Sequence, residues 1–214
     1  MLFKFIILIP SFNEYNSLKK IAKKLSSKNK ILIMDDCSND KTRLLKNRYK
    51  NIKIISNKTR LGYEKNLKKG IKILSKSNYS HIITFDADGE HHTSNIEKIK
   101  TYIKNNKSVD LLIGNRSTLN RFSEKILSFL FFLRFKVIDP LSGLKAYKVS
   151  ELKKNIKNIK LSFFLADLIV LYYKNNKIIK NIKIKSVKIK NRKSKVGSFI
   201  KSNLKILNCL KFLI

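Results

Sequence analysis

Acids are scarce in this chain. Its 214 residues hold 14 Asp and Glu against 48 Lys and Arg, a formal net charge of +34. Such a chain is drawn to anions, whether membrane lipid, nucleic acid or a phosphorylated substrate. Only 7 of the basic residues are Arg, beside abundant Lys, Ile and Asn. Drift in an AT-rich genome produces that usage, so composition carries only part of the signal. Arginine forks for base reading, zinc-finger spacing and an RNA-binding aromatic motif are all missing, which argues against nucleic acid. Cysteine is nearly absent: Cys37 and Cys209 are far apart and form no CxxC pair. Neither a disulfide framework nor a zinc site is expected, and a reducing compartment fits. No apolar run approaches the ~20 residues of a spanning helix, and Phe5 to Pro10 is too brief for the apolar region of a signal peptide. The expected location is cytoplasmic, peripheral at the inner face of the cell membrane.

Against that scarcity, one acidic cluster organises the chain. Ile82 to Phe85 reads as a buried strand that ends in Asp86-Ala87-Asp88-Gly89-Glu90-His91-His92. Two carboxylates one residue apart at a strand end suit a hard divalent cation, which takes oxygen ligands and keeps positions open for phosphate. The same letters also suit a solvated turn.

The pattern around this stretch alternates. Strands are expected at Phe3–Ile9, Ile31–Met34, Ile52–Ser56, His81–Phe85 and Val109–Ile113, with helices at Asn16–Ser26, Lys41–Tyr49, Glu64–Leu74 and Asn95–Ile103. Strands alternating with helices of this length imply a Rossmann-like, mostly parallel α/β sheet covered on both faces, in a single domain. Ligands in such sheets sit beyond the carboxyl ends of the strands. There the chain places Pro10-Ser11-Phe12-Asn13-Glu14, Asp35-Asp36-Cys37-Ser38-Asn39-Asp40 and Asp86-Ala87-Asp88.

Those motifs, followed by Asn57 with Arg60-Leu61-Gly62, resemble in order and spacing the family 2 glycosyltransferases of the GT-A fold. Farther on, Gly114-Asn115-Arg116 and Asp139-Pro140-Leu141-Ser142-Gly143-Leu144-Lys145-Ala146-Tyr147 resemble the polyprenol-phosphate (dolichol-phosphate) mannosyl- and glucosyltransferase branch. The resemblance implies a GT-A domain over residues 1–198. Its nucleotide-sugar half runs to about 115, its acceptor half from about 116 to 198, and 199–214 is an amphipathic tail.

In that family Pro10, Asn13, Glu14 and Asp36 would hold the base and ribose of a UDP or GDP sugar. Arg60 and Gly62 would lie beside them. Asp86 and Ala87 would meet ribose or sugar, and Asp88, with Glu90, would ligate Mg²⁺ or Mn²⁺. Asp40 reads instead as the cap of the helix that starts at Lys41. His91 stands where the family places a residue close to the site, and His92 is read as surface. Arg192-Lys193-Ser194-Lys195-Val196-Gly197 resembles, with its glycine displaced, a basic loop that closes over the diphosphate; Arg192 and Lys195 carry that role.

Arg116, Arg121 and Ser123 resemble the acceptor-phosphate grip of the branch, for which an Arg fork is apt. The 13-residue run Ile126 to Ile138 is too short to span a bilayer. It reads either as a core helix or as one lying in the membrane interface. Lys145 and Tyr147 are expected to line the cleft. The implied reaction is one inverting displacement onto a polyprenyl phosphate at an anionic membrane surface. A phosphate acceptor needs no base, whereas a sugar hydroxyl does, and Asp139 is the candidate. Processive polysaccharide synthases are excluded, since their Gln-x-x-Arg-Trp signature needs a Trp and this chain has none. The alternatives are a family 2 enzyme using a soluble or glycan hydroxyl, or a non-catalytic binder of membrane or nucleic acid.

Overall fold

Residues 3–119, 121–158 and 164–187 are described by a computed structural model. The first strand explains why a sheet covered on both sides forms. In β1 (Phe5–Ser11), Ile7 and Ile9 point to one face and Ile6 and Leu8 to the other, and all four are buried. α1 (Tyr15–Leu25) follows, then β2 (Lys30–Asp35), a 3₁₀ helix Lys41–Asn47, β3 (Ile52–Ser56), α2 (Tyr63–Leu74) and β4 (His81–Thr84). α3 (Asn95–Asn105), β5 (Leu111–Asn115) and α4 (Phe122–Phe135) come next. The described chain ends with β6 (Lys145–Lys148), α5 (Val149–Asn155), α6 (Phe164–Lys174) and β7 (Ile179–Lys183).

Among the described residues, seven strands lie in the order β3-β2-β1-β4-β6-β5-β7. All neighbours are parallel except β6, which runs antiparallel between β4 and β5. Leu18, Ile21 and Leu25 of α1, Leu45 of the 3₁₀ helix and Ile96, Ile99 and Ile103 of α3 cover the face bearing Ile7, Ile33 and Ile83. Leu67 and Ile71 of α2, Leu127 and Phe131 of α4 and Ile169 of α6 cover the face bearing Leu8, Met34 and Ile82. α2 packs very close to the sheet at Gly70. A Cβ there would stand 2.7 Å from both Leu8 Cδ1 and Met34 Cγ.

The α/β architecture and the positions of β1 to β5 agree with the sequence expectation, with two local differences. Lys41–Tyr49 was expected as an α-helix, but residues 41–47 form a 3₁₀ helix. The apolar run Ile126 to Ile138 is neither wholly core nor wholly surface. Leu127, Phe131 and Phe135 of α4 are buried, whereas Phe122, Phe129, Phe132 and Leu133 are 75%, 61%, 45% and 54% exposed. Among the described residues, no helix is long and apolar enough to cross a membrane. Arg192, Lys195, the rest of their basic loop and the tail 199–214 lie outside the described residues.

Candidate active site

The carboxyl ends of β1, β2 and β4 converge as the sheet topology requires. After β1, Asn13 turns the chain with φ +53. Its N–H donates to Ser38 Oγ at 2.9 Å, and its Oδ1 accepts from Asn39 N–H at 2.9 Å. Asp40 accepts from Thr42 N–H at 2.9 Å and from Tyr15 N–H at 2.8 Å. It therefore caps the 3₁₀ helix, as expected, and also ties down the start of α1. Glu14, at the cap position of α1, accepts from Ser17 Oγ. An open cavity of about 740 Å³ is bordered by Asn13, Glu14, Asp40 and Arg43. Pro10, expected to line the base, is buried inside β1.

Asp36 is already held by the protein itself. Its carboxylate accepts from Leu61 N–H and Gly62 N–H, both at 2.8 Å, and from Asn57 Nδ2 at 3.0 Å. With 3% exposure and three donors on its two oxygens, it faces the 57–62 turn rather than an open cleft. A buried network extends from it: Asn57 donates to Asn66, Asn66 donates to Met34 C=O at 2.7 Å, and Lys69 donates to Asn57. Gly62 needs its glycine, with φ +85. The turn so fixed carries Arg60, whose guanidinium lies 4.0 Å over the Phe12 ring, and delivers Tyr63 to the acid pair.

Tyr63 Oη donates to Asp86 Oδ1 at 2.8 Å, and His91 Nε2 lies 3.8 Å from Asp86 Oδ2. Gly143 packs against the same carboxylate, where a Cβ would stand 1.8 Å from Oδ2. Burial, and then the charge of Asp88, push the Asp86 pKa up to about 6. Asp88 Oδ1 accepts from Glu90 N–H at 3.0 Å. Ala87 is buried, and its carbonyl accepts from Ser17 Oγ. His91 is buried edge-on against Phe85, and that burial lowers its pKa. His92 is exposed, as expected. Val187 N–H donates to Glu90 C=O at 2.8 Å, and Ser186 bridges to His91. Ser186 and Val187 thus lie directly beside the acidic cluster.

Among the described residues, no three His, Cys, Asp or Glu side chains close into a metal cage. A hard cation needs none when diphosphate oxygens complete its shell. Two acids one residue apart, Asp86 and Asp88, offer the hard oxygen ligands that suit Mg²⁺ or Mn²⁺ of that kind.

Beyond the acid pair, Asp139 is 2% exposed and clamped by Arg116: Nε donates at 2.8 Å, Nη2 at 3.0 Å and the backbone N–H at 3.1 Å. Arg116 stays protonated although burial opposes it, because Asp139 pairs with it. Both oxygens of Asp139 are engaged, so the expectation that it takes a proton from a hydroxyl does not fit this geometry. Arg121 and Ser123 stand at the start of α4, and Glu124 lies near both arginines. Lys145 and Tyr147 do not line the cleft; both are fully buried. Lys145 Nζ donates to Pro140 C=O at 2.7 Å and Ser142 C=O at 2.9 Å, bracing the 139–144 turn, and burial lowers its pKa to about 7.

Sequence reasoning missed Tyr63, Glu124 and the bracing role of Lys145. Only Gly143, in its Ser-Gly turn, had a visible signal.

Residues 6–159 match the model for Glycosyl transferase family 2. A protein of Methanocaldococcus jannaschii described as uncharacterized is 27% identical over 197 residues, 85% of this chain and 80% of its own. The crystal structure of glucosyl-3-phosphoglycerate synthase from Mycobacterium tuberculosis with uridine diphosphate is similar at a TM-score of 0.71 and 16% identity. That likeness covers 98% of this chain and 80% of that one. A structure of the same synthase with Mn²⁺, UDP-glucose and glycerol 3-phosphate gives 0.69 and 14%, covering 98% and 78%. S. aureus TarS 1–349 gives 0.59 and 18%, covering 84% and 58%. These structural likenesses speak for the GT-A fold alone. The family match covers residues 6–159, well over half of the chain, and on it the chain belongs to glycosyl transferase family 2.

Proposed function

We propose that the protein is an inverting transferase that moves a sugar from a UDP sugar onto an acceptor phosphate carried by a polyprenyl lipid. The observation that carries this reading is the two-sided character of α4. Its first turn brings Arg121 and Glu124 to the buried Arg116–Asp139 pair, while Phe122, Phe129, Phe132 and Leu133 stand exposed along the same helix. A lipid phosphate has that same division, an anionic head and an apolar tail. The membrane surface and the cytoplasmic-face location belong to the same proposal. An interfacial helix buries apolar side chains among acyl chains while cations meet the headgroups.

The occupied state of Asp139 supports an acceptor that is already an anion, since such an oxygen attacks the anomeric carbon without surrendering a proton. The bond from that carbon to the diphosphate breaks, and its electron pair leaves with the nucleoside diphosphate. A bound Mg²⁺ or Mn²⁺ would neutralise charge on that leaving group. Asp88, with Glu90 beside it, would hold the cation, while Asp86, set by Tyr63 and Gly143, meets sugar or ribose hydroxyls. Arg192 and Lys195 are proposed to meet the departing diphosphate, a reading supported by the approach of Val187 to Glu90. UDP is favoured over GDP by the neighbours crystallised with it. Those same neighbours favour a second reading, a small soluble phosphate acceptor, because their crystals contain glycerol 3-phosphate or phosphoglyceric acid.

Purified protein incubated with UDP sugars and either polyprenyl phosphate in detergent or glycerol 3-phosphate separates the two. Transfer to the lipid alone supports the proposal, and transfer to the soluble phosphate alone replaces it. For the donor side, Asp88→Asn should weaken the Mn²⁺-dependent part of UDP binding by about tenfold or more, because an amide oxygen is a poorer ligand for a hard dication. Calorimetry with and without Mn²⁺ reads this directly; an unchanged metal-dependent increment sinks the assignment.

A further inference from the structure

Two arginines and two carboxylates meet at the start of α4, and their contacts are unequal. Arg116 holds Asp139 at 2.8 Å from Nε and 3.0 Å from Nη2. Toward Glu124 the guanidinium groups stand off: Arg116 Nη2 is 3.6 Å from Oε2, and Arg121 Nη1 is 3.4 Å from Oε1. A well-made charge-assisted contact is about 2.7–2.9 Å. Asp139 is therefore the fixed partner and Glu124 the loose one. Glu124 is nonetheless only 8% exposed, and its Oε2 accepts no hydrogen bond among the described residues. A buried carboxylate oxygen left in that condition costs free energy, and folded chains seldom tolerate it without a reason.

We infer that Glu124 is the resting occupant of the acceptor-phosphate site, a carboxylate that the incoming phosphate displaces from Arg116 and Arg121. This rests on the phosphate-acceptor reading above and adds to it a residue that governs which acceptors enter. Charge supplies the reason. At rest the Asp139 and Glu124 carboxylates both lie against the arginines, so an anion that displaces neither meets their repulsion as well as the arginines' attraction. Asp139 is locked by two side-chain bonds and one backbone bond, whereas Glu124 can swing about its own side-chain torsions without moving the helix. The first turn of α4 leaves N–H groups with no intrahelical partner, and its positive end favours the Glu124 carboxylate at rest and a phosphate after the exchange. A neutral hydroxyl cannot make this exchange, because it brings no charge to replace the one it would expel. Glu124 thereby selects anionic acceptors over sugar alcohols and water.

The test uses inorganic phosphate titrated calorimetrically into the full chain, comparing the parent with Glu124→Gln, which keeps the size and removes the charge. Phosphate should bind about tenfold tighter to the variant, because a site mostly closed by its own counter-ion loses affinity in proportion to the closed fraction. Glu124→Asp, whose shorter carboxylate retreats from both arginines, should also bind more tightly. It guards against a glutamine variant that folds poorly, and UDP affinity on the same samples reports that the donor half is intact. Equal or weaker phosphate binding in both variants overturns the inference. If both Glu124 variants bind phosphate no more tightly while Arg121→Gln loses the parent's binding, the phosphate-acceptor reading stands and the inference falls. If parent and variants alike bind no phosphate, both fall together.

Discussion

At the scale of single residues, the acids of the site are held by donors brought from other elements. Asp36, Asp40 and Asp139 all lie in the motifs expected, yet each spends its oxygens on protein donors: Leu61, Gly62 and Asn57 for the first, Tyr15 and Thr42 for the second, Arg116 for the third. For Asp36 and Asp139 burial is the cause, since a carboxylate removed from water must find donors. Those donors come from positions twenty or so residues away, which no local pattern announces. Asp40 was legible because its Thr42 partner sits two residues on, within reach of a capping rule. Asp36→Ala follows from this geometry. It orphans two backbone N–H groups and the Asn57 amide, so urea unfolding should show a loss of about 2–4 kcal/mol, the cost of leaving buried donors unpaired to a charged acceptor. UDP affinity should fall as well, through the displaced Arg60–Tyr63 turn. Weakened UDP binding with unchanged stability would instead mark Asp36 as a direct nucleoside contact.

At the scale of elements, long periodic segments were legible and short or two-faced ones were not. α1 and α2 stand within one or two residues of their expected bounds because Leu18, Ile21 and Leu25, then Leu67, Ile71 and Leu74, recur at helical spacing. β6 is four residues with a lysine at each end, and Lys145 is fully buried on two carbonyl bonds, so no hydrophobic alternation marks it. The run Ile126 to Ile138 hid its two faces because both are apolar. With apolar residues all round, only tertiary packing decides which side is core, and α4 turns Phe131 inward and Phe132 outward. Neighbouring phenylalanines therefore differ sharply. Phe131→Asp should cost at least about 3–5 kcal/mol, combining a lost core aromatic with a buried unpaired charge. Phe132→Asp should stay within about 1 kcal/mol of the parent, as for an exposed position. Thermal unfolding of the pair checks the helix's orientation, and similar losses at both sites would contradict it.

At the scale of the whole molecule, the β-α alternation was enough to foresee a mostly parallel sheet covered on both faces, because crossover geometry leaves few other arrangements. The net charge of +34 was legible too, but its meaning was not, since charge alone attracts any anionic surface. α4 separates the possibilities. Attachment to anionic lipid by lysines alone is a sum of screened contacts, each worth about 1 kcal/mol near the surface and lost as salt shortens the screening length. Attachment that also buries Phe129, Phe132 and Leu133 adds an apolar part that salt does not screen. The parent should therefore float with anionic liposomes at low salt and keep a reduced but measurable bound fraction at high salt. A Phe129→Asp, Phe132→Asp double variant should bind at low salt through the remaining positive charge and release almost completely at high salt. Both positions are exposed, so the variant is expected to fold, and unchanged UDP affinity would verify that. Equal salt sensitivity of parent and variant would show that α4 does not enter the interface, and the soluble phosphate acceptor would then become the better account of the Arg116–Arg121 cluster.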